Sequence, residues 1–301
     1  MTVIAAVSHK GGAGRSVTLA NVAFQLNQHG RGNICIVDLD LASPTMGSIF
    51  GIKGLEGGED KIGGPHAPRS IYDLIAYKDH ETPVLPASSC YIDIREKASP
   101  PLRDLIKPDP RLIFLPGFRG VGDWADKISR LSVRLFRIID ALQDAGFKYI
   151  LLDVRSGSSD VLDALSKLHE QKGIIDLVLV HIKWTPQHVE GLDTLLAHRR
   201  MKGFPQNIVK IVRTAYWDPA VLEDQGVQKD LAKKINSDLE SRIGRIKLDG
   251  VEIAHNNKEQ VIATIPDNPM LRIREGIIQD AEDSCYQAFQ SLAYRIQKLR
   301  S

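Results

Sequence analysis

Cysteine is scarce in this chain. Three residues in 301, Cys35, Cys90 and Cys285, lie far apart and form no C-x-x-C pair. That argues against a disulfide framework and against a thiolate-bound metal cluster, and it fits a reducing cytoplasm. An excess of one charge is missing too: 39 Lys and Arg face 37 Asp and Glu, a formal net charge of +2. Overall electrostatics therefore do not name nucleic acid as the partner. No apolar run is long enough to span a bilayer. The opening run, residues 3–7, has no basic residue before it and meets polar loop residues at once, so it reads as a buried strand rather than a signal peptide. The histidines, His9, His181 and His188 included, show no metal-ligand spacing and are expected to be structural or exposed. With 43% hydrophobic and 25% charged residues, disorder has no compositional support either.

What the chain does have is a series of short apolar runs that end in polar residues. "TVIAAV" (2–7) is followed by glycines, then by Val17, Ala20, Val22, Phe24 and Leu26 at helical spacing up to Gly30. "NICIVDLD", "RLIFLPG", "KYILLDV", "IIDLVLVHI", "NIVKIVRTA" and "VIATI" continue the pattern, giving about seven strands. Continuous apolar strands separated by helical stretches predict a doubly wound α/β fold, a mostly parallel sheet covered by helices on both faces. Residues 1–301 are expected to be one domain with insertions at about 51–110 and 217–258. Within the first, residues 51–70 are glycine-rich and read as a mobile loop, and "CYIDIRE" suggests a hairpin. Within the second, Val227, Leu231, Ile235, Leu239 and Ile243 predict an amphipathic helix ending near Gly244.

The first strand-to-helix turn, "VSHKGGAGRSVTL", carries the chemistry. Gly11, Gly12 and Gly14 let backbone N–H groups close around an anion, and the following helix adds its positive end. The ordinary pattern G-x-x-x-x-G-K-[ST] is missed twice, at His9 and Arg15, although Ser16 keeps the hydroxyl that would meet Mg²⁺. G-x-G-x-x-G fails at Val17. Asp38, Asp40 and Asp153 end strands on the same edge as this loop and are hard oxygen ligands for a cation.

"KGGAGRS" resembles the deviant Walker A motif of the ParA/MinD family of dimerising ATPases, with Lys10 at the signature lysine. "CIVDLDLASPT", "YILLDVRSG", "IIDLVLVHIKWTPQHVEGL" and "ATIPDNPMLRIREG" resemble further blocks of that family, in the family's order, across residues 2 to 278. The resemblance implies ATP held by Lys10, Gly11, Gly12, Ala13, Gly14, Arg15, Ser16 and Val17, with Arg213, Pro266 and Asp267 toward the base. It implies Mg²⁺ on Ser16, Asp38 and Asp153, with Asp153 as the Walker B residue, and an attacking water positioned by Asp38 or Asp40. Lys10 would act across a homodimer formed on ATP binding.

Arg15 departs from the family's usual lysine. A guanidinium keeps the charge but is planar and larger, so binding should survive better than rate. Because "DVRSG" at 153–157 accompanies it, Arg15 and Arg155 resemble the matched variation of a ParA-like subgroup. The implied function is a cytoplasmic switch ATPase that hydrolyses Mg-ATP slowly to recruit, position or partition a cargo or adaptor protein.

Two alternatives stand beside it: a non-hydrolysing nucleotide-bound scaffold of the same fold, and an ATP-dependent synthetase of the cobyrinate or dethiobiotin kind. Lys229, Lys233, Lys234, Arg242 and Arg245 make non-specific DNA a candidate partner, but Asp230, Asp238 and Glu240 are interleaved, which favours a solvated face. The last helix, with Phe289, Leu292, Ile296 and Leu299 on one side, is expected to pack on the sheet rather than target a membrane.

Overall fold

The computed structural model describes residues 1–30, 32–40, 46–52, 71–76, 90–117, 131–157, 159–197, 201–217, 226–244, 247–248, 251–252, 260–273 and 275–300. The glycine-rich stretch expected to be mobile lies, from residue 53 to 70, outside the described residues, as does Arg245.

The seven expected strands are present: β1 (Thr2–Val7), β2 (Asn33–Leu39), β4 (Leu112–Leu115), β5 (Phe147–Val154), β6 (Leu177–Lys183), β7 (Val209–Tyr216) and β10 (Val261–Pro266). They pair in parallel, and with β3 (Ile92–Asp93) they form one eight-stranded sheet in the order β10-β7-β6-β1-β5-β2-β4-β3. Every residue of the central β1 is buried, as a sheet covered on both faces requires.

The segment "CYIDIRE" is not a hairpin. Ile92 and Asp93 pair antiparallel with β4, and Asp93 then caps a one-turn helix α4 (Ile94–Lys97) by accepting the Arg95 N–H at 3.1 Å. A strand that meets its own helix cap stops there. Unforeseen by periodicity, β8 (Lys247–Leu248) and β9 (Val251–Glu252) form a separate two-stranded ribbon.

Side-chain alternation splits the core in two. Val3, Ala5, Val7, Val37, Ile150 and Leu152 face a cluster that includes α6 (Leu131–Asp144), α7 (Ser159–Lys172) and α8 (Pro186–Ala197). Ile4, Ala6, Ile34, Ile36 and Leu151 face α1 (Arg15–His29) and α11 (Ser284–Gln297). The same alternation, carried to the strand ends, puts Ser8, Asp38, Asp153 and His181 on the α1 face.

Helix α9 (Gly226–Gly244) ends where expected, but its buried face differs from the fourfold repeat. Ala232, Asn236, Leu239 and Ile243 are buried, while Leu231 is 50% exposed. A spacing of four overshoots each helical turn by about 40°, so a strict i+4 series walks off the core. In α11, Phe289, Leu292 and Ile296 are buried against α1 and β10, as expected of a last helix on the sheet; Leu299, just beyond it, is exposed. None of the described helices is long and apolar enough to cross a membrane.

Candidate nucleotide site

The turn between β1 and α1 is built for an anion. Gly12 and Gly14 hold φ of 73° and 70°, a left-handed backbone that glycine adopts without strain. Gly14 is the N-cap of α1 and offers no side chain to the first helical N–H groups, which are left for a ligand. A cavity of about 190 Å³ lies there, lined by residues 11–17 together with Ser8, Asp40, Ser156 and Glu275. The loop is tied down from β7 and from α8. Thr214 donates its hydroxyl to the Ala13 carbonyl at 2.9 Å, and His188, paired with Thr185, contacts the Gly11 carbonyl through Nε2 at 3.3 Å.

A second cavity of about 350 Å³ adjoins the first and shares Gly12, Gly14, Val17 and Glu275 with it. Thr214, Ala215, Ile265, Pro266, Asp267, Leu271 and Phe289 give it apolar walls with a few polar groups. The size and lining suit a flat heteroaromatic group. Phosphates over the glycines and a base beside β7 and β10 would fill both spaces together.

On the other side of the loop the polar groups are already engaged. Arg15, the first residue of α1, turns inward onto the sheet edge and is buried. Its Nε donates to Asp153 Oδ1, its Nη1 donates to Ser8 Oγ at 3.1 Å, and its Nη2 lies 3.8 Å from Asp40 Oδ2. Arg155 approaches the other oxygen of Asp40, also at 3.8 Å.

Asp38 sits beside Asp153 in register and is fully buried. One of its oxygens accepts the Asp40 N–H at 2.9 Å and the other has no hydrogen-bond partner among the described residues. Burial, then the negative charge of Asp153, pushes its pKa well above the usual carboxylate range, which favours the protonated form. Gly117 permits this crowding: a Cβ there would meet Asp38 Cγ at 3.1 Å. His181 is fully buried, and neither ring nitrogen has a partner among the described residues; burial, reinforced by the charge of Arg15, lowers its pKa to about 3, so it is neutral.

Against known proteins, residues 1–75 match the ParA family model, described as a NUBPL iron-transfer P-loop NTPase. Solved structures match along the whole chain. The cell division ATPase MinD of Pyrococcus furiosus is 18% identical with a TM-score of 0.59, covering 99% of each chain. MinD of Pyrococcus horikoshii, complexed with Mg-ADP, is 17% identical with a TM-score of 0.58, covering 99% of this chain and 96% of that one. The MinC:MinD cell division complex of Aquifex aeolicus gives 17% and 0.60, covering 98% and 95%. The fold is ParA/MinD-like. No curated protein sequence matches at a significant level.

On this ParA/MinD-like frame the expected nucleotide residues separate into three groups. Gly11 to Val17 line the phosphate cavity, and Pro266 and Asp267 line the cavity beside it. Lys10 is exposed and lines neither of the two, leaving it accessible to a second molecule. Arg213 is turned away. It donates to Thr264 at 3.1 Å and to Glu240 at 3.2 Å and lies over the rings of Trp184 and Tyr216. Its neighbour Thr214 faces the loop instead, because successive strand residues point to opposite faces. Thr214, Ser8, His188 and Glu275 are further residues of the site. The strand pattern could have found Thr214 and Ser8, but nothing in the sequence marks His188 or Glu275.

The expected Mg²⁺ ligands do not all line one cavity. Ser16 lines the cavity, but Asp38 and Asp153 do not, and an oxygen of Asp153 already accepts from Arg15. No group of three or more His, Cys, Asp or Glu among the described residues is arranged to hold a metal ion. The residues present do not fit the ion in the manner that the family resemblance implies.

Proposed function

We propose that this chain is a ParA/MinD-type ATP switch: it binds ATP at residues 10–17, dimerises in that state, and returns to the monomer by slow hydrolysis. The carrying observation is the uncapped start of α1 above left-handed Gly12 and Gly14, opening onto a phosphate cavity that continues into an apolar one of the right size for adenine. Backbone N–H groups of the loop would hold the phosphates, with the Ser16 hydroxyl at the cavity wall.

Of the two candidates for positioning the attacking water we favour Asp40. It lines the phosphate cavity, while Asp38 is sealed beneath it and inclined to be protonated. Lys10 would reach a partner's nucleotide, in the way a trans-acting cation stabilises charge at phosphoryl transfer. Turnover should be slow because Arg15, although it lines the phosphate cavity, is held by Asp153.

We take residues 1–301 as one domain, since a single sheet draws strands from residue 2 to residue 266. The chain would work in the cytoplasm, consistent with three buried free cysteines. Its cargo would be an adaptor or partner protein. Non-specific DNA is less favoured: on α9, Lys233 pairs with Asp230, and Arg242 pairs with Glu190 and Asp238.

ATP turnover and light scattering, with and without ATP, test this for the wild type, Lys10→Ala and Arg15→Lys. An ATP-dependent doubling of mass with slow turnover, lost in Lys10→Ala, is expected. A monomer under all conditions would overturn the switch. Binding and dimerisation without turnover would select the scaffold reading, which the Arg15 contact with Asp153 specifically favours.

A further inference from the structure

Two carboxylates and two arginines close the site on the β2–β5 side. Asp153 is gripped by Arg15, and Asp40 stands between Arg15 and Arg155, with Oδ2 3.8 Å from the first and Oδ1 3.8 Å from the second. The guanidinium of Arg15 spreads three of its nitrogens over Asp153, Ser8 and Asp40, a span that its planar fork covers and a single ammonium does not. Arg15 is only 8% exposed and Asp153 only 1%, so each is the other's compensation in a poorly solvated place. Arg15 also lines the phosphate cavity, which puts positive charge between the carboxylates and the phosphates.

Resting on the nucleotide reading above, we propose that Arg15, supported by Arg155, is a resident cation in the place of the divalent ion, so that this chain takes up ATP without Mg²⁺. The two negative charges of Asp40 and Asp153 are balanced one for one by the two arginines. A divalent ion at these carboxylates would either add surplus positive charge beside a buried guanidinium or evict Arg15 from its acceptors. Asp153 and Asp40 thus already have their counter-charge before any ion arrives. The sequence pairing of an arginine in the loop with an arginine two residues past Asp153 then has a physical reason: both arginines hold Asp40.

The test is calorimetric titration of ATP into the full chain in Mg²⁺ and in EDTA at equal ionic strength. It is joined by electron paramagnetic resonance of Mn²⁺ with ATP, in the presence and absence of protein. In the wild type, affinity should change by less than about threefold when Mg²⁺ is removed, and no protein-bound Mn²⁺ signal should arise. Arg15→Lys should become metal-dependent by about tenfold or more and acquire that signal. Arg155→Ala, a change at a half-exposed residue that leaves the buried pair intact, should shift the same way by less; if Arg15→Lys fails to fold, it carries the comparison.

A wild type that loses more than about tenfold in EDTA, or holds Mn²⁺ with ATP, would overturn the resident cation. A Mn²⁺ signal lost in Glu275→Gln would show that the ion uses the cavity rim instead, and would equally overturn it. No ATP binding under either condition would mean that the nucleotide reading itself fails, and the inference with it.

Discussion

The two flanks of the phosphate loop are finished differently. On the β7–β10 flank, groups face open space: Thr214 ties the loop, and the walls from Ile265 to Phe289 leave about 350 Å³ for a ligand. On the β5–β2 flank, Asp153 and Asp40 are each engaged by arginine and Asp38 is sealed under its neighbours. One side presents open space beside the loop; the other already contains its counter-charge. In a phosphoryl-transfer site these flanks serve different steps, binding and charge stabilisation in the transition state, so a chain can keep the first while altering the second.

The largest way to break this contrast is to remove the counter-charge. Arg15→Ala would leave Asp153 buried and uncompensated, and should cost about 3–5 kcal/mol of stability. The melting temperature should fall by roughly 10 °C. The double variant Arg15→Met with Asp153→Leu should recover most of that loss, because removing both members of a buried pair is far milder than removing one. A double variant as unstable as the single would show that Arg15 matters to the fold for some other reason.

Next in size is a pH effect from two buried groups at the same sheet edge, His181 on β6 and Asp38 on β2. His181 has its pKa lowered from 6.5 to about 3, so between those values the unfolded chain holds a proton that the native chain does not. Its contribution is therefore complete above about pH 6.5 and is lost as pH falls toward 3, by at most about 1.4 kcal/mol per pH unit. Asp38 works the opposite way. Its raised pKa gives the native chain the extra proton, so stability declines as pH rises from 3.8 toward that raised value. Thermal melts at successive pH should show His181→Leu flattening the acid loss, and Asp38→Asn flattening the decline at higher pH. A wild type and His181→Leu with parallel curves would contradict the buried neutral imidazole.

On the open flank, Gly14→Ala places a side chain at φ 70°, where an L-residue is strained by roughly 1–2 kcal/mol. ATP affinity should weaken about tenfold, while melting falls far less than for Arg15→Ala. If the two losses came out alike, binding and structural charge would not be separable by flank.

Much of this was legible from residues alone, for reasons that can be named. The seven parallel strands are continuous apolar runs because both faces are covered, and polar residues at their ends show where the covering stops. The loop was legible because two of its glycines, Gly12 and Gly14, serve a left-handed backbone conformation. The direction of Arg15 was not. A side chain at the first turn of a helix can face the ligand or the sheet, and only the row of Ser8, Asp153 and Asp40 across three strands decides it. Nor could a repeat of four reveal that α9 docks through Asn236, which accepts from Trp184 Nε1 at 2.7 Å and donates to the Trp217 carbonyl at 2.8 Å.

The smallest expected effect is also the sharpest check on the boundary of the open flank. Arg213 was a candidate for holding the base, yet its guanidinium is spent on Thr264, Glu240 and two aromatic faces. Arg213→Ala should therefore leave ATP affinity within about twofold of the wild type. It should instead loosen α9, since Glu240 belongs to that helix, with a cost of about 1–2 kcal/mol from the lost ion pair and ring contacts. Thr214→Val, one residue on and facing the loop, should do the reverse and weaken ATP more than it destabilises the chain. Hydrogen exchange across residues 226–244, measured beside ATP titrations, separates the pair. If Arg213→Ala weakened ATP as strongly as Thr214→Val, strand alternation would not be what sorts binding residues from structural ones at this edge.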